Sequence, residues 1–284
     1  MKHNLYQAIL ARRSVRRYEK RRLDAETLAQ VQTIISEVKP LLPDNHFEAL
    51  MRDVAPGEDL VQTMGGYGRL VSPPHYLAPF GQGETHILTD VGYRVEQIAV
   101  RLVALGVGTC YVGSLRREDA VRALFGLPET ARIGAFLSFG YPATGLRGRA
   151  VNAMVRRAAR ATNKLPAERI FFHETFDKPA TPPEELAQLV EAARHSPSAG
   201  NAQPWRLLWR DGTLYLFVQI KNRMYGISGL GGYCLFDGGI CMSNVALALE
   251  ALGMAGRWEL LAGTEPDLPD HPTDLQALAR LALA

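Results

Sequence analysis

The chain has 284 residues and a formal net charge of +3 at neutral pH, with 47% hydrophobic and 21% charged residues. This composition is typical of a globular protein of about two domains and excludes a disordered or fibrous chain. No apolar run reaches the ~20 residues that span a bilayer, and the N-terminus resembles no secretion signal, so we expect a cytoplasmic protein.

An apolar N-terminal helix leads into a basic run. Seven of the eleven residues from Arg12 to Arg22 are Lys or Arg. Arginine side chains bind phosphate oxygens bidentately, and Ser14 adds a hydroxyl donor. Taken alone, the run fits a solvated loop, a phosphate-binding cofactor site or a nucleic-acid contact.

The elements that follow in the first half begin with a helix capped by Asp24. A strand is predicted over 75–79, and a long, largely buried helix over 90–105 ends at Gly106. A second strand is predicted over 132–139. The segment 43–74, with Gly65, Gly66 and Gly68, is a candidate lid.

The second half follows a basic stretch, 151–166, that we interpret as a helical connector. Thr181 begins a Thr-Pro-Pro-Glu capping box, which predicts a helix start with Pro182 at the first helical position. A strand rich in aromatic and branched residues is predicted over 214–220. The three cysteines, Cys110, Cys234 and Cys241, are odd in number and far apart, which argues against a disulfide framework or a thiolate metal site. We interpret them as small buried apolar groups.

The two halves resemble each other. Residues 90–106 match 237–253 at an offset of 147, with seven of seventeen residues identical. Upstream, residues 28–31 match 186–189 at an offset of 158. The shared order of these matches favours an internal duplication.

Three segments carry residues that packing alone does not require. The first is Arg-Arg-Ser-Val-Arg at 12–16, and the second is Pro-Ser-Ala-Gly-Asn-Ala-Gln-Pro-Trp at 197–205. The third combines Gly-Thr-Cys-Tyr-Val-Gly at 108–113 with Gly-Tyr-Pro at 140–142 and the basic pair Arg147 and Arg149. Glycines let a flat ligand approach the backbone closely, and spaced arginines suit a phosphate.

Together with an Asp-x-Gly before each long helix, these motifs resemble the FMN-dependent nitroreductase family over most of the chain. Family members are intertwined homodimers, so the resemblance implies an α+β fold with two homologous halves. Each half would hold a small, mainly antiparallel sheet flanked by helices, and one chain would form a pseudo-twofold dimer. We expect one half at 1–150, the connector at 151–166 and the other half at 167–284.

The motifs are divided between the halves, which predicts one composite FMN site per chain. The first half lacks the Pro-Ser-x-x-Asn turn, while Ile170, Phe172 and Glu174 replace Arg12, Ser14 and Arg16 in the second half. A second pseudo-site should therefore bind no phosphate. The resemblance implies the following cofactor-binding residues: Arg12, Arg13, Ser14, Arg16, Val112, Gly113, Arg147, Arg149, Pro197, Ser198, Ala199, Asn201 and Gln203.

The resemblance also implies the chemistry. NAD(P)H would pass a hydride to flavin N5, and a nitroaromatic or quinone-like acceptor would take it in a ping-pong cycle without a catalytic side chain. Arg16 would stabilise the negative charge of the reduced ring, and backbone N–H groups of Val112 and Gly113 would lie near N5.

Other interpretations stay open from the sequence. A flavin-binding protein with little or no turnover, which stores or senses FMN, is the main alternative. A hydrolase centred on His195 and its neighbouring serines lacks the G-x-S-x-G motif. We expect a small-molecule electron acceptor as partner, with no nucleic acid, membrane or bound metal, and a pseudo-dimer of this kind can function as a monomer.

Overall fold

The computed structural model describes residues 5–55, 57–144, 163–225 and 232–283. We number the helices within these ranges in chain order. They are α1 (Leu5–Ala11), α2 (Ala25–Ser36), α3 (Val61–Met64), α4 (Ile87–Ala104), α5 (Glu118–Phe125), α6 (Glu184–Arg194) and α7 (Tyr233–Leu252).

Four strands form the sheet of the first half. They are β1 (His46–Asp53), β2 (His75–Gln82), β3 (Gly108–Gly113) and β4 (Ala135–Gly140). Their order is β1-β2-β4-β3, and every neighbouring pair is antiparallel. The predicted strands at 75–79 and 132–139 correspond to β2 and β4.

Six strands form the sheet of the second half. They are β5 (Phe171–His173), β6 (Thr175–Pro179), β7 (Trp205–Arg210), β8 (Thr213–Gln219), β9 (Gly256–Leu260) and β10 (Leu275–Leu283). The order is β6-β5-β7-β8-β10-β9, and β5 runs parallel to β7 while the other pairs are antiparallel. The series β7-β8-β10-β9 repeats the order of the first sheet, which confirms the predicted fold of two homologous halves.

The long helices α4 and α7 cross where the two halves meet. A Cβ added at Gly92 would lie 2.2 Å from the carbonyl oxygen of Phe236, and one added at Gly239 would lie 1.9 Å from that of Thr89. These contacts exchange under the sequence offset of 147, so a pseudo-twofold axis passes between the helices. The glycine of each Asp-x-Gly motif is required because the helix backbones touch there.

The helix starts differ in how well the sequence predicts them. The carboxylate of Asp24 accepts a hydrogen bond from the backbone N–H of Thr27 at 2.8 Å, as expected of an N-cap. The predicted capping box at Thr181 is wrong, because α6 begins at Glu184 with Pro183 as its N-cap residue and no side-chain cap.

The helix α7 is long and apolar enough to span a membrane, but 72% of its most apolar window is buried within the protein. It packs against α4, α6 and the second sheet, so we interpret it as a core helix. The three cysteines are buried and reduced, in agreement with their predicted role as small apolar groups.

Candidate functional site

A cavity of ≈ 910 Å³ lies between the two halves. Both halves contribute predicted site residues to its wall. The first half provides Arg12, Arg13, Ser14, Arg16 and Gly113, and the second provides Pro197, Ser198, Ala199 and Asn201. The two separated motifs therefore meet at one composite cavity.

The Arg12–Arg16 segment leaves α1 and runs alongside β3. The backbone N–H of Val15 donates to the carbonyl of Thr109 at 2.8 Å, which fixes the segment against the sheet. The side chains of Arg12 and Arg16 are almost fully buried, with 8% and 5% of each residue exposed. Both guanidinium groups therefore face the cavity away from bulk water.

Arg12 has donors that the described residues do not use. Its Nε lies 3.6 Å from Oε1 of Glu96, but neither Nε nor Nη1 has a hydrogen-bond partner in the described part of the chain. Buried donors of this kind are costly unless a ligand or water completes them. An anion such as a phosphate would fit this position.

Behind Arg12, Glu96 is a completely buried carboxyl group. Burial raises its pKa to about 7, although Arg12 and a hydrogen bond from Tyr111 oppose this shift. The Tyr111 hydroxyl donates to Oε2 at 2.7 Å. The carboxyl group is therefore partly protonated at neutral pH, which leaves the charge of Arg12 available to a ligand.

We expect Glu96→Gln to change the pH dependence of stability. Since the folded state raises the pKa of Glu96 to about 7, its proton stabilises the ligand-free fold at low pH. That stabilisation is complete below the unfolded pKa of about 4.3 and is lost as pH rises through 7. Between pH 5 and 8 the wild type should lose ~3 kcal/mol relative to the variant, measured by urea unfolding.

The matched control is Glu250→Gln, in which the carboxylate is a more exposed partner of Lys39 and Arg101. This variant should follow the pH dependence of the wild type. Identical pH profiles for Glu96→Gln and the wild type would show that Glu96 is ionised throughout.

The sequence analysis missed Lys164, which also lines the cavity. Its Nζ donates to the carbonyl of Ser196 at 2.6 Å. Burial and the neighbouring Arg12 lower its pKa to about 7. No local motif marks this residue, because only the tertiary fold brings it beside Arg12.

The Pro197–Asn201 turn has a constrained backbone. Gly200 and Asn201 both lie in the left-handed region, with φ values of 59° and 58°. The backbone N–H of Gln203 donates to Oγ of Ser198, and its side chain accepts from the backbone N–H of Leu165. Gln203 is buried and does not line the cavity, so in this structure it fastens the turn from behind.

Of the remaining predicted site residues, the structure describes Val112 and Gly113. Val112 is buried and lies outside the cavity wall, while Gly113 is part of it. A Cβ at Gly113 would lie 2.2 Å from the hydroxyl oxygen of Tyr233, so a larger residue requires the Tyr233 side chain to move. Arg147 and Arg149 lie outside the described residues.

The candidate lid is shorter than the sequence suggests. Residues 46–53 form β1 within the first sheet, whereas Met64–Tyr67 line the cavity. Arg117 donates to the carbonyls of Val61 and Thr63 at 3.4 Å and holds this short segment in place. The part of 43–74 that lines the cavity is therefore 64–67, at the end of α3.

In the first half, the counterpart of the cavity residue Asp237 is Asp90, which forms an ion pair with Arg94. The guanidinium Nε donates to Oδ2 of Asp90 at 3.0 Å, and Nη2 donates to the carbonyl of Asn45. Ile170, the counterpart of Arg12, is completely buried in the hydrophobic core. These contacts support the expectation that the second pseudo-site binds no phosphate.

The hydrolase alternative finds no support in the geometry. Nδ1 of His195 is within hydrogen-bonding distance of the carbonyl of Glu191, at 3.0 Å. The hydroxyl of Ser196 accepts from Asn244. Within the described ranges, no hydrogen bond joins His195 to a serine hydroxyl, so a serine–histidine pair is not formed.

Comparisons with known proteins agree with this architecture. The family described as "Putative TM nitroreductase" matches residues 4–248. A solved structure, described as a putative nitroreductase from Thermotoga maritima MSB8, is 19% identical with a TM-score of 0.59 and covers 99% of this chain and 94% of its own.

Two other solved structures match half of the chain. A nitroreductase family protein from Clostridium novyi NT is 16% identical with a TM-score of 0.40, covering 49% of this chain and 86% of its own. A putative nitroreductase in complex with FMN from Desulfovibrio desulfuricans is 20% identical with a TM-score of 0.43, covering 49% and 87%. No curated protein matches the sequence.

The duplicated fold is a nitroreductase fold. The family match covers most of the chain, which therefore belongs to the nitroreductase family of the Thermotoga maritima type. The chain is accordingly a flavin oxidoreductase.

Proposed function

We propose that the chain is an FMN-dependent NAD(P)H oxidoreductase that reduces nitroaromatic or quinone-like acceptors at one composite site. The observation that carries this proposal is the cavity that brings the Arg12–Arg16 segment and the Pro197–Asn201 turn together. The cavity volume of ≈ 910 Å³ is within the range of ligand pockets.

The residues present fit FMN. The unused Nε and Nη1 donors of buried Arg12 suit the phosphate, with Lys164 and Arg16 adding positive charge around it. Gly113 lines the cavity without a side chain, and it and the small residues of the Pro197–Asn201 turn suit a flat ring. When bound, FMN would supply a carrier that accepts a hydride from NAD(P)H and donates it to the acceptor.

The chain's own residues would bind, orient and shield the cofactor. Arg16 is a buried cation that would stabilise negative charge on the ring. The apolar side chains of Phe236, Ile240 and Met64 limit water on the cavity wall. The short segment at the end of α3 forms one side of the cavity wall. NAD(P)H and then the acceptor would enter the cavity in turn.

The experiment is a count of bound flavin followed by turnover. The purified protein, incubated with FMN and desalted, should retain one FMN per chain. It should then oxidise NAD(P)H in the presence of a nitroaromatic or a quinone. Two FMN per chain would contradict the single composite site, and no flavin would contradict the function.

A flavin-binding protein without turnover is the second candidate, favoured by the segment 64–67 and Arg117, which occupy the cavity wall and would restrict the space for an acceptor. Bound FMN that NAD(P)H cannot bleach would establish it. The predicted cytoplasmic location and the monomeric pseudo-dimer are part of the proposal, and gel filtration checks the latter.

A further inference from the structure

A buried carboxyl group, Asp237, joins three parts of the cavity wall. It lies in the second turn of α7 and is 1% exposed. Its Oδ2 accepts hydrogen bonds from the backbone N–H of Ala199 at 3.0 Å and from the hydroxyl of Tyr225 at 2.8 Å. Asp237 thereby ties the Pro197–Asn201 turn to the segment at Tyr225 and to the helix.

The chain contains its own comparison for this contact. Asp90, the counterpart of Asp237 at the offset of 147, accepts from the backbone N–H of Leu41 at 2.8 Å. Leu41 is in turn the counterpart of Ala199 at the offset of 158. In each half, therefore, an aspartate on the long helix binds the backbone of the equivalent loop.

The two aspartates differ in charge compensation. Asp90 forms an ion pair with Arg94, in which the N–O distance is 2.9 Å. The counterpart of Arg94 is Cys241, a buried thiol. Within the described residues, no ion pair involves Asp237. A buried carboxylate without a counter-ion is unstable, whereas a protonated carboxyl group is not.

The groups around Asp237 are mostly neutral. Tyr225 faces it from the preceding segment, Tyr233 and Cys234 from its own helix, and Tyr111 from β3. Arg116 lines the same cavity and donates to the carbonyl of Tyr225. Burial raises the pKa of Asp237 to about 8, and the hydrogen bonds from Tyr225 and Ala199 oppose this shift only in part.

We propose that Asp237 is a positioning residue that holds the Pro197–Asn201 turn in its FMN-binding conformation while it carries a proton, and that loss of this proton weakens FMN binding. This inference rests on the proposed function. The ionised group would place a second, uncompensated negative charge in a cavity that also takes a phosphate. It would also draw water or a cation towards the turn, which disturbs the wall that the flavin ring contacts.

The test is the dissociation constant of FMN between pH 6 and 9.5, measured from the quenching of flavin fluorescence. For the wild type, the constant should rise above pH 8 by up to tenfold per pH unit, the limit for loss of one required proton. Lys164 and Glu96 also titrate near pH 7 and change the constant equally in every variant. Asp237→Asn, which keeps the hydrogen-bond acceptor but cannot ionise, should show that change and lack the further rise above pH 8. Asp90→Asn is the matched control and should follow the wild type.

Tyr225→Phe separates protonation from simple structural support. Because the Tyr225 hydroxyl donates to the carboxylate, its removal should shift the rise in the dissociation constant to higher pH. A purely structural contact would weaken binding equally at every pH. In the FMN-free protein, the ¹³C carboxyl resonance of Asp237 should show a protonated group at pH 7.

Parallel pH profiles for the wild type and Asp237→Asn would overturn the proposal, as would an ionised carboxyl resonance at pH 7. A wild type that binds no FMN at any pH would refute the proposed function instead. The titration of Asp237 in the free protein would still show whether the residue holds its proton.

Discussion

Replacing Arg12 by glutamine should weaken FMN binding by about 100-fold or more. The side chain is buried at the cavity, and its Nε and Nη1 donors have no hydrogen-bond partner among the described residues. Hydrogen bonds from a guanidinium to a phosphate contribute ~1.5–3 kcal/mol each, and two of them account for this loss. Titration of FMN into the FMN-free variant measures the effect directly.

The variant should still fold. Loss of Arg12 removes the cation that lowers the pKa of Glu96, so this carboxyl group becomes protonated more readily and leaves no buried anion. A thermal unfolding scan near the wild-type midpoint would verify that the lost affinity is not caused by unfolding.

The matched control for Arg12 is Arg21→Gln, in the same basic run. Arg21 is exposed, pairs with Glu19 at 2.7 Å and stacks on the ring of Tyr141 at 4.2 Å, away from the cavity. Its replacement should leave FMN affinity unchanged. Equal losses in both variants would show that the basic run attracts FMN only through its overall charge.

Those parts of the site that depend on local sequence could be predicted. The Arg12–Arg16 segment and the Pro197–Asn201 turn carry their chemistry in short motifs, and the structure brings both to one cavity. Lys164 could not be predicted, since its place beside Arg12 depends on the packing of the two halves. The contact between Asp237 and Ala199 also depends on the tertiary fold. The Asp-x-Gly motif marks only the position of Asp237 on its helix.

The fold likewise has parts that local sequence predicts and parts that it does not. The strands β2, β4 and β8 lie in the segments that the sequence predicts, whereas the order of the strands in each sheet is seen only in the structure. The start of α6 was misplaced for a local physical reason. Pro182 precedes another proline, which disfavours the helical conformation for Pro182, so the helix begins only at Glu184. A capping motif alone does not reveal that competition.

Replacing Gly239 by alanine should destabilise the whole chain more than any single change on its surface. The added Cβ would lie 1.9 Å from the carbonyl oxygen of Thr89, which belongs to the backbone of α4 and cannot move alone. The helices must separate, and overpacking of this kind costs about 3 kcal/mol or more. We expect the midpoint of thermal unfolding to fall by roughly 10 °C, measured by circular dichroism.

Gly66→Ala is the control, since a Cβ there would meet nothing within 4 Å. It should leave the midpoint unchanged. A wild-type midpoint for Gly239→Ala would mean that α4 and α7 do not touch at this point.

The pseudo-twofold axis makes a sharper prediction for the double variant. Gly92 contacts Phe236 on α7, and Gly239 contacts Thr89 on α4. The two contacts are equivalent under the pseudo-twofold axis, so both replacements force the same separation of α4 and α7. Once one methyl group has parted the helices, the second enters space that is already open. The combined loss of stability for Gly92→Ala with Gly239→Ala should therefore be smaller than the sum of the single losses. Additive losses would show that the structure adjusts to each methyl group independently and that the two halves do not move as rigid bodies.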